Sequence, residues 1–285
     1  AIFQRNHLLR DAIGQALYDT MKEDSTIHLF GEGAHVKVHY DAPNIEADFL
    51  DRVHTLPISE DGNTNFAVGT SLLGIKPVVD VISADFLYRT MDSICNTAAK
   101  LNFMRPTEDP KTIVIRAEFL TGGPTTGQRP ESLFTHIPGL RVVIPSTPRD
   151  AYGLMRTALS TPGVTLFFED RMIQDDDDWS PSDLTPVGPL PIGAASWCQR
   201  WQRGNVTIVT YGIMRQVVQR VLRKYKSDPV LKDFYADDSP MLCDLIDLVS
   251  LSPLDWNFIT KMTERTGRLL IVEPDINYGG IGAEI

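Results

Sequence analysis

The strongest constraint on the fold is a short stretch with no polar residue in it. Ile113-Val114-Ile115 is apolar on both sides of the backbone. A strand of that kind is covered on both faces, which is the condition of a strand in a parallel sheet flanked by helices. Similar runs recur and alternate with segments of helical period. Leu8, Leu9, Ile13, Leu17 and Met21 fall at helical spacing and predict a helix over about 5–22. Strands are predicted over 26–30 and 53–58, a helix over 63–73 capped by Gly74, a strand over 77–82 and a long helix over 86–104. Strands over 142–144 and 164–168 follow, separated by a helix that Pro148 opens, because proline fits the first helical turn. This order predicts an α/β fold with parallel or mixed sheets and helices on both faces.

Residues 172–192 interrupt the pattern with four consecutive aspartates, Asp175 to Asp178, and four prolines, Pro181, Pro186, Pro189 and Pro191. Such a stretch punctuates rather than packs. A linker is therefore expected at 176–195, between a first domain at 1–175 and a second at 196–285. In the second, strands over 206–211, 241–250 and 269–273 alternate with helices over 213–226 and 255–266, again α/β. A length of 285 residues suits two domains of about 150 each.

Charge narrows the partners. Lys and Arg number 27 against 37 Asp and Glu, a net charge of −10. That surface repels phosphate backbones and anionic lipid, so neither nucleic acid nor a membrane is expected as a partner. No apolar run approaches the roughly 20 residues that span a bilayer. Cys95, Cys198 and Cys243 are odd in number and far apart, which excludes a disulfide framework and a zinc ribbon. They suit a reducing compartment, the cytoplasm or the mitochondrial matrix.

Familiar catalytic signatures are missing. There is no G-x-S-x-G elbow, no phosphate loop and no H-E-x-x-H, and Gly31-Glu32-Gly33 lacks the third glycine of a dinucleotide fingerprint. His35 and His39 would share one helix face, but their β-branched surroundings read as extended, which sets the rings roughly 13 Å apart. The four aspartates read as a solvated linker rather than a cation site. What remains is positional. Ligands of open α/β sheets sit at the carboxyl ends of the strands. Glu32, Ser59-Glu60-Asp61 and Ser83 with Asp85 fall at such ends. Glu60 follows an apolar strand and precedes a small-residue helix, so its carboxyl is half buried and tunable. The plainer reading is a helix cap, for which Ser59, Asp61 and Asn63 qualify equally.

An ordered set of motifs adds to this. Leu56-Pro57-Ile58-Ser59-Glu60 is followed by Phe66-Ala67-Val68-Gly69, then by the stretch from Asp80 to Asp92 with Asn96, Ala98, Ala99 and Lys100. His136-Ile137-Pro138-Gly139-Leu140, Val142 to Pro148, Asp150-Ala151, Val272-Glu273 and Gly279 to Ile285 complete it. From about residue 5 to Ile285 the chain resembles the beta subunit of the decarboxylating component of 2-oxoacid dehydrogenase complexes, in the transketolase-like, thiamine-diphosphate-dependent superfamily. The resemblance implies a pyrimidine-binding domain followed by a transketolase C-terminal domain. Family members continue for some tens of residues, so the second domain is expected to be short here. The resemblance also implies that Glu60 contacts nitrogen N1′ of the cofactor's aminopyrimidine and favours the tautomer that removes the thiazolium C2 proton. It implies that Phe86 stacks on that ring and that Ile82 and Arg89 line the same pocket. It further implies potassium on backbone carbonyls of Ile113, Ala158, Leu159, Thr161 and Gly163.

Two departures shape the functional expectation. The family holds the diphosphate through Mg²⁺ on a Gly-Asp-Gly motif, and no Gly-Asp-Gly occurs in this chain. In two-subunit members the motif lies on the alpha subunit, so an alpha partner in an α₂β₂ assembly is expected. The histidine that serves acyl transfer to a lipoyl arm is replaced in Gln128-Arg129-Pro130-Glu131. His136 aligns elsewhere, in a turn. Transfer to a lipoyl-bearing acyltransferase is thereby put in question. Arg89 stands where the family usually has Gln, and either binds an anionic substrate or pairs with Asp85 or Asp92. The expectation is a 2-oxoacid dehydrogenase beta subunit. A carboligase or transketolase that passes its acyl carbanion to an aldehyde or another non-lipoyl acceptor is the alternative, and a non-catalytic assembly subunit a further one. Glu60 argues against the last.

Overall fold

A computed structural model describes residues 8–32, 45–105, 109–173, 180, 182–199, 204–227 and 243–285. His35, His39 and Asp175 to Asp178 lie outside the described residues.

Helix α1 (Leu8–Glu23) leads into β1 (Ile27–Gly31), a short helix α2 (Ile45–Asp48), β2 (Val53–Thr55) and α3 (Glu60–Ser71). Then come β3 (Lys76–Ser83), α4 (Leu101–Met104), β4 (Thr112–Phe119), α5 (Glu131–Thr135), β5 (Leu140–Val143), α6 (Pro148–Ser160) and β6 (Gly163–Asp170). After residue 195 run β7 (Ser196–Gln199), β8 (Val206–Thr210), α7 (Ile213–Ser227), β9 (Cys243–Asp247), β10 (Ser250–Ser252), α8 (Trp256–Thr266), β11 (Leu269–Val272) and α9 (Ile281–Glu284).

The first sheet has the order β10-β5-β6-β4-β3-β1-β2. Its strands are parallel except β10, which pairs antiparallel with β5. Every residue of β4 is buried, Arg116 and Glu118 along with the apolar run Ile113 to Ile115. One face carries α1 and α6, where Leu9, Ile13 and Leu17 pack with Leu154, Met155 and Ala158. The other carries α3 and the segment after β3, with Ala67, Val68, Leu87 and Ile94 in the core. The second sheet has the order β11-β8-β9-β7, with β7 antiparallel to β9.

Three expectations change in detail. The helix expected over 63–73 begins at Glu60, because Ser59 at φ −168° already turns the chain into it. The long helix expected over 86–104 is a 3₁₀ segment (Ala84–Thr90), a π turn (Ser93–Ala98) and α4. The apolar spacing is that of a helix, but it does not fix which helix, and short 3₁₀ and π pieces gather at functional bends. The strand expected over 241–250 is two: β9 stays in the second sheet and β10 crosses to the first.

Candidate active site

The chain runs from β1 outward to β2 on one side, while β3 and β4 lie on the other. A reversal of this kind opens a crevice at the carboxyl ends of β1 and β3. All three acidic clusters singled out in the sequence end there, and the structure brings them together. Gly31 closes β1 where a side chain would be crowded, since an added Cβ would stand 3.0 Å from Asp80 Cβ and 3.1 Å from its carbonyl oxygen. Glu32 follows and accepts the Ser59 N–H at 3.0 Å, tying the end of β1 to the start of α3. Burial, with Glu60 and Asp80 nearby, pushes the Glu32 carboxyl above the usual range.

Glu60 is the first residue of α3, where a carboxylate is favoured by the helix dipole. It is buried, only 9% exposed. Its Oε2 lies 3.3 Å from Arg89 Nε. Asp61 instead accepts from Ser93 Oγ, and Asn63 donates to the Pro57 carbonyl at 3.0 Å. The plainer reading therefore gives way in part: Ser59 occupies the cap position without a side-chain bond into the helix, and Glu60 serves no cap.

Ile82 sits at the break in β3, where the pairing with β4 shifts register between Asp80 and Ser83. Its φ is 65°, a left-handed conformation that a β-branched side chain resists. Asp80 holds it there by accepting the Ile82 N–H at 2.9 Å. Asp80 is backed by Arg116, 3.9 Å away, and Arg116 is fixed by two bonds to Glu169 at 2.6 and 2.9 Å. Burial raises the Glu169 carboxyl despite that partner. Strain of this kind gathers at functional sites. The bulge leads directly into the 3₁₀ segment, on which Phe86 and Arg89 stand three residues apart and so share one edge.

The Gln128–Glu131 stretch forms the far wall. Gln128 donates its N–H and its Nε2 to Asp85 Oδ1 at 3.0 and 3.1 Å. Arg89 therefore pairs with neither Asp85 nor Asp92, but with Glu60. Arg129 donates Nε to Glu131 at 3.1 Å and Nη1 to Asp170 at 3.0 Å, with its guanidinium carbon 3.6 Å from the Phe119 ring centre. Glu131 is fully buried, and burial pushes its carboxyl up to about 7 against the pull of Arg129. Sequence reading missed this buried cluster, since Arg129 and Asp170 are 41 residues apart and the polar stretch Thr125 to Ser132 around Arg129 gives no sign of burial. His136 lies away from it, just past the end of α5.

The residues suit an aminopyrimidine: a buried carboxyl at a helix start, an apolar wedge at Ile82 and an aromatic at Phe86. They do not suit a metal-bound diphosphate, for which the chain lacks the Gly-Asp-Gly donor. Among the described residues no three His, Cys, Asp or Glu side chains converge on a metal position. Of the five carbonyls expected to hold potassium, that of Thr161 accepts from Arg141 Nη2 at 3.1 Å. No helix is long and apolar enough to cross a membrane among the described residues.

Comparison with known proteins agrees with this geometry. Residues 7–174 match the family model of the transketolase pyrimidine-binding domain, and residues 198–285 that of the transketolase C-terminal domain. Over 98% of the chain it is 33% identical to the pyruvate dehydrogenase E1 component subunit beta of Gracilaria tenuistipitata var. liui, covering 83% of that protein. It is 28% identical to the mitochondrial 2-oxoisovalerate dehydrogenase subunit beta 2 of Arabidopsis thaliana, over 97% of the chain and 75% of the relative. The fold matches a split-gene transketolase, solved as an inactive beta4 tetramer, with a TM-score of 0.76 at 19% identity, over 96% of this chain and 82% of that one.

Proposed function

The chain belongs to the transketolase-like family that includes the beta subunits of 2-oxoacid dehydrogenases, and from that premise we propose that it is the beta subunit of a two-subunit, thiamine-diphosphate-dependent enzyme that decarboxylates a 2-oxo acid and transfers the acyl unit. The observation that carries the reading is Glu60, a buried carboxyl at the start of α3, beside the Ile82 bulge and the turn that bears Phe86.

When bound, thiamine diphosphate supplies a thiazolium carbon that adds to the 2-oxo carbonyl and a ring that takes up electrons as CO₂ leaves. The chain's residues do the rest of the work on its side of the cleft. Glu60 presents its carboxyl to pyrimidine N1′ in a shared hydrogen bond, which makes the 4′ substituent basic enough to act on the C2 proton. To do so it gives up Arg89. Phe86 presents its ring to the pyrimidine, and Ile82, fixed by Asp80, closes the apolar wall. The diphosphate and Mg²⁺ fall to an alpha subunit, in an α₂β₂ assembly with the cofactor between chains. The same reading puts potassium on the carbonyls of Ile113, Ala158, Leu159, Thr161 and Gly163, where Arg141 competes for Thr161.

A specific observation favours a second reading for the acceptor step. The stretch Gln128–Glu131 stands where the family's lipoyl transfer uses a histidine, and its Arg129 is buried between Glu131, Asp170 and the Phe119 ring. A guanidinium so held is permanently charged and carries no proton to or from a thiolate. Passage of the acyl unit to an aldehyde or another non-lipoyl acceptor fits that wall better than passage to lipoamide.

The test is exchange of the cofactor's C2 proton with deuterium in the complex of this chain with its co-purifying alpha chain. Glu60→Gln is expected to slow exchange by roughly 10²- to 10⁴-fold while the complex still assembles. Exchange at the wild-type rate would overturn the assignment of Glu60, and a fully active assembly of this chain alone would overturn the split site.

A further inference from the structure

The geometry points to Arg89 as the residue that selects the substrate, by binding a second anionic group, a carboxylate or a phosphate, that the reaction leaves intact. This rests on the thiamine-diphosphate reading above. Arg89 projects from the 3₁₀ segment one turn beyond Phe86, and its side chain is 74% exposed. Among the described residues its guanidinium meets one partner, Glu60, through Nε alone. Both terminal nitrogens are therefore without a partner among the described residues, in the fork that binds carboxylate or phosphate with two parallel bonds.

Among the described residues the neighbouring cations are already spent. Arg116 is 2% exposed and bound twice to Glu169, and Arg129 is held by Glu131 and Asp170. Around them stand Glu32, Glu60, Asp61, Asp80 and Asp85, a field that repels an anionic substrate. Arg89 is the cation placed to offset it. Its present partner is the same carboxyl that the pyrimidine nitrogen claims, so loading the site frees Arg89 where the substrate arrives.

Chemistry decides which anion it takes. The carboxylate of the reacting 2-oxo acid loses its charge on the way to CO₂. A guanidinium clamped on that group would hold the ground state more tightly than the transition state and slow the step. An anion elsewhere on the molecule keeps its charge throughout, so binding it costs the reaction nothing. The substrate class is therefore a 2-oxo acid with a distal carboxylate, or an acceptor aldehyde with a phosphate.

The experiment uses the complex with the alpha chain, loaded with thiamine diphosphate and Mg²⁺. kcat/KM is measured for 2-oxoglutarate against pyruvate as donors, and for glyceraldehyde 3-phosphate against glyceraldehyde as acceptors. In Arg89→Gln the ratio of the more anionic to the less anionic member is expected to fall about 10- to 100-fold in one pair, and Arg89→Lys to restore part of it. The pair that responds identifies the donor or the acceptor as the source. A readout independent of turnover is labelling of Arg89 by phenylglyoxal, followed by peptide mass spectrometry. The more anionic compound of the responsive pair is expected to protect Arg89, and its partner to protect it less. Unchanged ratios in both pairs, or no protection by either anionic compound, would overturn the proposal. C2 proton exchange in the wild-type complex separates the two failures. Its absence removes the thiamine reading and this proposal together, whereas exchange without discrimination removes Arg89 alone.

Discussion

Glu131 shows at the scale of one residue how far burial moves a carboxyl. Its ordinary value in the unfolded chain is 4.5, and in the fold desolvation raises it to about 7, with Arg129 pulling the other way. The folded state thus holds the proton more tightly than the unfolded one. Its contribution to stability is fully present below about 4.5 and is lost as pH rises through about 7, at about 1.4 kcal/mol per unit of displacement. Glu131→Gln cannot ionise. Its melting temperature is therefore expected to fall less than that of the wild type between pH 5 and 7.5, and parallel curves would contradict the assignment. Nothing in the sequence announces this residue, since its environment comes from chain segments far away. The resemblance supplied the role proposed for Glu60; its place, after an apolar strand and before a small-residue helix, was legible in local order. Its partner Arg89 was not, because the choice among Glu60, Asp85 and Asp92 depends on which way the segment after β3 winds.

At the scale of elements, β3 is the instructive strand. Its stretch Val78 to Ile82, apolar but for Asp80, is plain in the sequence, yet the feature that matters is its break. Ile82 at φ 65° interrupts the ladder between Asp80 and Ser83 and redirects the chain into the 3₁₀ segment that carries Phe86 and Arg89. Period-2 patterning records which face a residue occupies and is silent about a bulge. The cost of the left-handed turn supplies a test. Glycine is ordinarily a worse strand residue than alanine, but at positive φ it escapes the Cβ penalty of about 1 kcal/mol. Ile82→Gly is therefore expected to be more stable than Ile82→Ala by about that amount, read as the shift in urea midpoint. The usual order, alanine above glycine, would show that the position is unstrained. The expected helix over 86–104 fails for a related reason. Its apolar spacing is satisfied by a succession of 3₁₀, π and α turns, and Ser83, whose hydroxyl accepts the Asp85 N–H, commits the first of them.

At the scale of the whole molecule, the alternation of strands and helices gave both sheets, but not the stitch between them. After β9 the chain leaves the second sheet, and β10 adds antiparallel to β5 in the first. The crossing is reinforced by Ile144 N–H donating to the Val249 carbonyl at 3.0 Å. Ser146 Oγ also donates to Asp247 Oδ1 at 2.8 Å, both residues being wholly buried. Asp247 closes β9, and Ser146 follows β5, so this bond joins the ends of strands from different sheets. Burial raises the Asp247 carboxyl to about 8, opposed by Arg215. A carboxyl in that setting cannot lose its donor cheaply. Ser146→Ala leaves Oδ1 buried and unsatisfied, a loss of about 1–3 kcal/mol. Because β10 is built into the first sheet, that loss belongs to both sheets at once. Calorimetry of the variant is expected to give one transition at lower temperature, and hydrogen exchange to quicken in β4 and β8 alike. Two separated transitions, with β4 protected as before, would show that the sheets unfold independently. The crevice that holds Glu60 would then rest on the first sheet alone.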